Sequence, residues 1–241
     1  MANFGFARLA VVAPYEEHWR EAKSAVGASD LLQNAMRVES LAEAVAECTL
    51  VIGTGTLARR KPEQPVIPLP ELTPRVDAEL ARGGRIALVF GPEKRGLTRE
   101  DLAHCHMLVE IPTDARQPSM NLGQAVAVCL YELAARKDVT SRAESRETRK
   151  LPSIRPKTGK TTGRVTESDT PAAGRELERL AEVVEQTMLA ANYSPEAMRA
   201  ANRHDLNLLL RRLALTRRDA RRILGLFRKV LWRLKHPYNT K

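Results

Sequence analysis

The chain has 241 residues, 43% hydrophobic and 28% charged, with a formal net charge of +10. Against a usual domain of roughly 100 to 200 residues, this admits one full domain and a smaller second one, and the balance is that of a folded soluble protein, not of a disordered or fibrous one. No run approaches the roughly 18 apolar residues of a spanning helix, and the start MANFGFARLAVVAPYEEHW lacks a basic stretch followed by a long apolar core, so neither secretion nor membrane insertion is expected and the expected location is the cytoplasm.

In chain order, Arg8 to Val12 reads as a strand, Glu16 to Ala25 as a helix, and Leu41 to Cys48 as an alanine-rich helix leading into the buried strand Thr49 to Ile52. A Gly53-Thr54-Gly55-Thr56 turn and a proline-rich loop, Lys61 to Leu72, come next. A helix from Pro74 to Arg82 then ends at Gly83-Gly84, and a strand follows from Arg85 to Phe90. A short strand, Met107 to Ile111, precedes a loop and a helix from about Leu122 to Ala135, with Val126, Leu130 and Leu133 on one face. This alternation predicts a parallel α/β domain over residues 1–136. Residues 137–173 are rich in Ser, Thr, Arg, Lys and Pro with few large apolar side chains, the composition of a flexible basic linker. Residues 174–241 give helical patterns at Glu176 to Ala190, Pro195 to Ala201, Asp205 to Leu213 and Arg218 to Leu234, with Thr216 as N-cap of the last.

The charge is unevenly divided. Residues 1–136 hold 15 Lys/Arg against 17 Asp/Glu, residues 137–173 hold 9 against 5, and residues 174–241 hold 15 against 7. The excess is C-terminal, the footprint expected for a polyanion, with RNA and an anionic membrane surface as competing partners. Cys48, Cys105 and Cys129 are odd in number and lack metal-site spacing, and they read as reduced core thiols.

Three loops each follow a predicted strand, where open α/β sheets place ligands. Gly53 to Thr56 is a small-residue turn, able either to approach a ligand closely or simply to supply a tight bend. Gly91-Pro92-Glu93-Lys94-Arg95-Gly96-Leu97 combines glycines, a carboxylate and two cations, fitting a polar ligand or a solvated turn. The third, Ile111-Pro112-Thr113 followed by Ser119-Met120-Asn121-Leu122, opens a helix with Ser119 as the expected cap and Asn121 free to orient another group.

The run GPEKRGLTREDL followed by IPTDARQPSMNLGQAVAVCLYEL resembles the second and third motifs of the TrmH-like SPOUT RNA 2′-O-methyltransferases. The stretch LNLLLRRLALTRRDARRILGLFRKVLW resembles the C-terminal extension of the TrmJ branch of that family. The resemblance implies a parallel-sheet α/β domain tied in a trefoil knot, a homodimer, S-adenosylmethionine as cofactor, no metal, and 2′-O-methylation of a pyrimidine in a tRNA anticodon loop. It places Thr54, Gly55, Thr56, Gly91, Ile111, Ser119, Met120 and Leu122 around the cofactor. Glu93, Ser119 and Asn121 become the catalytic-site candidates, and Arg211, Arg212, Arg217, Arg218, Arg221 and Arg222 the RNA-binding ones. Met120 stands where the family usually has Leu, a volume-conserving exchange. The family also opens with a strand and an Asn-Pro-x-Asn-x-Gly-x-x-x-Arg motif, and this chain starts at the end of that run with Met1-Ala2-Asn3-Phe4-Gly5. The expectation is that Met1 is an internal methionine of a longer protein; the competing reading is a variant without the motif, an RNA-binding protein derived from such an enzyme.

Overall fold

The computed structural model describes residues 1–15, 19–21, 27–55, 62–147, 170–193 and 195–236. The chain opens with a parallel pair, β1 (Ala10–Val12) and β2 (Met36–Val38), with the short helix α1 (Ser29–Gln33) between them. The helix expected at Glu16 to Ala25 falls largely outside the described residues, and Trp19–Glu21 is a single 3-10 turn. Ser40 caps α2 (Leu41–Ala44), its hydroxyl accepting from the Glu43 N–H; α2 is shorter than the helix read to Cys48.

Gly53 and Thr54 belong to β3 (Leu50–Thr54), not to a turn. A Cβ on Gly53 would meet Leu108 and Cys105, so that glycine answers to packing in the sheet core. The proline-rich stretch hides β4 (Val66–Pro68), too short for an alternation pattern and flanked by prolines that mimic a loop. α3 (Leu72–Ala81) starts two residues earlier than expected because Pro74 sits in its first turn, where no intrahelical N–H is needed. It ends as the Gly-Gly pair predicts: Gly83, at φ 73°, donates to Leu80 O, and Gly84 donates to Glu79 O. β5 (Ile86–Val89), α4 (Arg99–Leu102), β6 (Met107–Glu110) and α5 (Leu122–Glu147) complete this part.

Among the described residues, four strands form a parallel sheet in the order β4-β6-β3-β5. Alternate residues of β3 serve opposite faces: Leu50 and Ile52 pack with Leu72, Val76, Cys129 and Leu133, and Val51 packs with Leu41, Val45, Cys105 and Leu108. Burial pushes the Cys105 thiol up to about 12 and that of Cys129 to about 11, so both act as small apolar groups. His106 fixes the junction of β3 and β6. Its N–H donates to Val51 O (2.8 Å), and its Nδ1 accepts from Val51 N (3.0 Å). Burial, with the nearby Arg211 charge, presses its imidazole down to about 3.

α5 runs to Glu147, well into the segment read as linker, and at the far end of that segment Ala172 and Ala173 are buried. The C-terminal helices are α6 (Gly174–Ala190), α7 (Arg199–Arg212) and α8 (Arg217–Lys235). The two helices read at 195–201 and 205–213 are a 3-10 turn running directly into α7. Leu180, Ala181, Val184 and Leu210 form their core with Ile223, Leu224 and Phe227, and Thr216 caps α8 as expected.

This bundle is docked on the α/β domain. The first-turn donors of α6 lack intrahelical partners, and Gly174 N and Arg175 N find Cys48 O (2.9 Å) and Ala46 O (2.8 Å). A Cβ at residue 174 would come 2.7 Å from Val45 O, so this approach needs glycine. Nearby, Glu178 on α6 gathers Arg203 (2.7 Å), Arg211 (3.3 Å) and His104 (3.3 Å) of the α4–β6 turn. Burial works to raise the Glu178 carboxyl, but the His104 hydrogen bond and the Arg211 charge, helped by Arg203, hold it at about 2.

Removing one member of such a cluster strands a buried charge. Glu178→Ala leaves Arg211, 4% exposed, without its carboxylate, and is expected to cost about 3–5 kcal/mol in urea denaturation. Acid should also unfold the protein in two overlapping stages. His106 stabilises only while neutral, so its contribution is complete above its ordinary 6.5 and drains as pH falls toward about 3. Glu178 stabilises only while ionised, so its share is lost from about 4.5 down to about 2. A urea midpoint flat above pH 7 and falling steadily below it is the expected profile; His106→Gln should flatten its upper arm.

Candidate active site

Because the strands are parallel, the carboxyl ends of β3, β5 and β6 lie on one side of the sheet, and their loops enclose a cavity of about 260 Å³. The predicted Thr54, Gly55, Gly91, Glu93, Ile111, Ser119, Met120 and Leu122 all line it. Thr56 lies outside the described residues. Phe90, Leu97, Leu102, Leu108 and Thr113 also line it and were missed. Leu97 is the last residue of the glycine-rich loop as read from the sequence, though it was not among the cofactor-lining candidates; Leu102 and Leu108 come from α4 and β6 and reach the cavity only through tertiary packing.

Each loop is held by its own chemistry. Thr54 Oγ1 donates to Val89 O (2.9 Å), tying the ends of β3 and β5 together. Gly91 lies so close to the Gly96–Leu97 backbone that any Cβ there would collide with it. Gly96 N donates to Pro92 O (2.7 Å), and Gly96 takes φ 65°, closing the loop that carries Glu93. The third loop is folded by Arg116, which donates from N and Nε to Asp114 Oδ1 and from Nη2 to Asp114 Oδ2. Thr113 Oγ1 adds a bond to Pro118 O (3.3 Å).

The N-cap of α5 is Asn121, not Ser119. Asn121 Oδ1 accepts from Gly123 N (2.9 Å) and Gln124 N (3.3 Å), while its Nδ2 donates to Glu93 Oε1 (2.7 Å). The amide therefore fixes a helix start with one end and aims a carboxylate from another loop with the other. Ser119 stays exposed at the cavity wall. Of the predicted cationic residues, Arg212, Arg218, Arg221 and Arg222 are exposed, but Arg211 is buried in the Glu178 cluster and Arg217 is turned to Glu176 (3.3 Å). The reading of Arg211 as RNA-facing is corrected by that burial: adjacent helical positions diverge by about 100°, and the first arginine of the 211–212 pair points into the bundle.

A parallel α/β sheet with a cavity at the carboxyl ends of three strands, walled by both polar and apolar side chains and holding an aimed carboxylate, is the kind of place where open α/β folds bind small molecules. The chain belongs to the SpoU rRNA methylase family, whose model matches residues 1–131. It is 40% identical over 139 residues to the tRNA (cytidine/uridine/adenosine-2′-O-)-methyltransferase TrmJ of Pseudomonas aeruginosa, covering 55% of this chain and 52% of that protein. To TrmJ of Pectobacterium atrosepticum it is 38% identical over 138 residues, covering 55% of each. The chain thus spans about half the length of the curated relatives it matches. The crystal structure of TrmJ from Zymomonas mobilis (Z. mobilis ZM4) superposes with a TM-score of 0.72 at 25% identity, over 95% of this chain and 89% of that one. A methylase family protein from Haemophilus influenzae Rd KW20 superposes with 0.54 at 26% identity, over 98% and 89%.

Two substitutions separate the roles of Asn121. Asn121→Ala is expected to destabilise by about 1 kcal/mol through the lost cap. Asn121→Asp keeps the cap acceptor but sets a second carboxylate against Glu93. It should hold the melting temperature above that of the alanine variant while abolishing ligand-induced stabilisation, both read by thermal melts.

Proposed function

We propose that this chain is an S-adenosylmethionine-dependent RNA ribose 2′-O-methyltransferase acting on a pyrimidine of a tRNA anticodon loop, in the cytoplasm, as a homodimer with the knotted SPOUT topology. The observation that carries the reading is the junction of three strand-end loops at one cavity with the Glu93–Asn121 pair set between them. Family membership, and relatives named as tRNA 2′-O-methyltransferases, support it.

The residues present suit the cofactor. Gly55 has open space around it and Gly91 sits in tight backbone contact, so loop amides and carbonyls can meet an adenosine edge closely. Ile111, Met120 and Leu122 offer an apolar floor. When bound, S-adenosylmethionine supplies an electrophilic methyl group to a ribose 2′-oxygen. Glu93, with one oxygen engaged by Asn121, keeps acceptor capacity for a ribose hydroxyl and orients it. Exposed Arg212, Arg218, Arg221 and Arg222 provide cationic contacts for the RNA backbone. For the dimer, Leu122 (37% exposed) and Tyr131 (58% exposed) on α5 offer apolar surface, with Phe4 edge-on to Tyr131 at 6.1 Å.

Incubation with S-[methyl-³H]adenosylmethionine and unmodified tRNA tests the reading. Label is expected in an alkali-resistant dinucleotide, and Glu93→Ala should lower transfer at least tenfold. Label in a base, or no cofactor binding, would overturn it. Binding of both cofactor and RNA without transfer would favour the alternative, an RNA-binding derivative without turnover. Reversing Arg218 and Arg221 to Glu should weaken RNA binding, flatten its salt dependence and leave cofactor binding unchanged.

A further inference from the structure

We infer that the outward face of α8 is a platform for an unpaired stretch of nucleic acid, with Trp232 as its base-stacking residue. This rests on the RNA reading above and adds to it a second kind of contact, with bases and not phosphates.

The face is defined by spacing. Arg218, Arg222, Gly225, Lys229, Trp232 and His236 recur at intervals of four and three, so they share one side of the helix, and all are exposed. At 1.5 Å per residue the stripe runs about 27 Å. The opposite side is occupied: Ala220 and Leu231 are buried, and Ile223, Leu224 and Phe227 pack into the bundle core. The single acid of α8, Asp219, is drawn back to Thr216 at the cap. Among the described residues, Arg218 and Arg222 have no carboxylate partner.

Trp232 is 51% exposed and already part of a stack. Lys229 Nζ lies 4.5 Å from its ring centroid, and the His236 ring lies 5.0 Å away at an interplanar angle of 20°. His236 is anchored by its N–H to Trp232 O (3.0 Å) and by Arg233 Nη1 to His236 O (3.1 Å). The aromatic pair is ordered before a ligand arrives, which lowers the cost of binding. A preformed stack beside cations suits a base with its phosphate, and a base has a π-face whatever its identity. Gly225 fits the same use. It is a poor helix former in mid-helix, and a Cβ there would meet nothing within 4 Å, so packing inside this chain does not ask for it. A bare backbone at the centre of the stripe admits close approach by a strand.

Two other occupants fit less well. A membrane-surface helix must give its apolar face to lipid, and Ile223, Leu224 and Phe227 of α8 are spent on α6 and α7, leaving Leu226, Val230 and Leu234 as exposed aliphatic side chains that flank the cationic stripe and do not lie on it. A second copy of the same stripe would bring cation against cation.

The test is titration of the full-length chain with a single-stranded oligoribonucleotide, the same sequence as a blunt duplex, and phosphatidylserine vesicles, read by tryptophan fluorescence and anisotropy. Quenching and tighter binding by the single strand than by the duplex are expected. Trp232→Ala should weaken single-strand binding about 5- to 150-fold, leave duplex binding and cofactor-induced thermal stabilisation unchanged, and Trp232→Phe should restore most of the loss. Equal binding of single strand and duplex by Trp232→Ala and the unaltered chain overturns the inference, as does a fluorescence shift with vesicles and none with RNA. If methyl transfer fails but the Trp232-dependent preference holds, the enzyme reading falls and the platform stands; if transfer succeeds and Trp232→Ala binds normally, the platform alone falls.

Discussion

The parallel pairing of β3 with β5 on one side and β6 on the other is the constraint on which the site depends. Chain order would put β4 beside β3, yet β6 takes that place, and β3 becomes the strand whose two neighbours both carry loops that line the cavity. Parallel strands send their carboxyl ends the same way, so three loops distant in sequence open on one cavity. The pairing is secured from within: Ile52 and Val109 are fully buried, and His106 closes the β3–β6 junction with two bonds to Val51, one from its main-chain N–H and one accepted by its Nδ1, the second of which requires a neutral ring. Burial keeps that ring neutral near neutral pH. Packing, protonation and register therefore support one another, and the placement of Glu93 and Asn121 is their product.

The second constraint is the seat of the C-terminal bundle. Exposed donors at the start of a helix need acceptors, and α6 finds them in the turn between α2 and β3, at an approach that only glycine permits. The Glu178 cluster then adds a polar clasp reaching His104, two residues beyond α4, whose Leu102 is part of the cavity wall. The bundle and the cavity thus share the α4–β6 turn. The linker read at 137–173 is helical in its first part, where α5 continues to Glu147, and carries buried alanines, Ala172 and Ala173, at its far end, while residues 148–169 lie outside the described residues.

What could be read from the chain was what local chemistry decides. The apolar runs at β3, β5 and β6, the Gly83-Gly84 stop and the Thr216 cap express themselves within a few residues, and the structure places them close to where they were expected. β2, β4 and α1 span three, three and five residues, too few for a periodic pattern, and they exist because neighbours pair with them or cover them. The motif loops were legible as a group, but the division of labour within the third was not. Ser119 and Asn121 are both good capping residues, and only the point at which α5 begins decides between them. Likewise, a hydrogen bond from Asn121 to Glu93, 28 positions away, is a tertiary fact that no local rule contains.

The cationic tail makes the same point about charge. Three arginine doublets lie along it, and in each the two members diverge by about 100° around the helix. Arg211 and Arg217 turn toward the acids of α6, meeting Glu178 and Glu176 at 3.3 Å, Arg221 stays exposed with Glu176 3.9 Å away, and Arg212, Arg218 and Arg222 face outward. A count of basic residues therefore overstates what a polyanion would meet. In the first two doublets one arginine satisfies the acids that order the bundle, and its neighbour leaves its charge at the surface. The inner pairings also hold the outer residues in place. A phosphate backbone approaching α8 meets charges on a fixed scaffold, and little further ordering of the helix is needed to bind it.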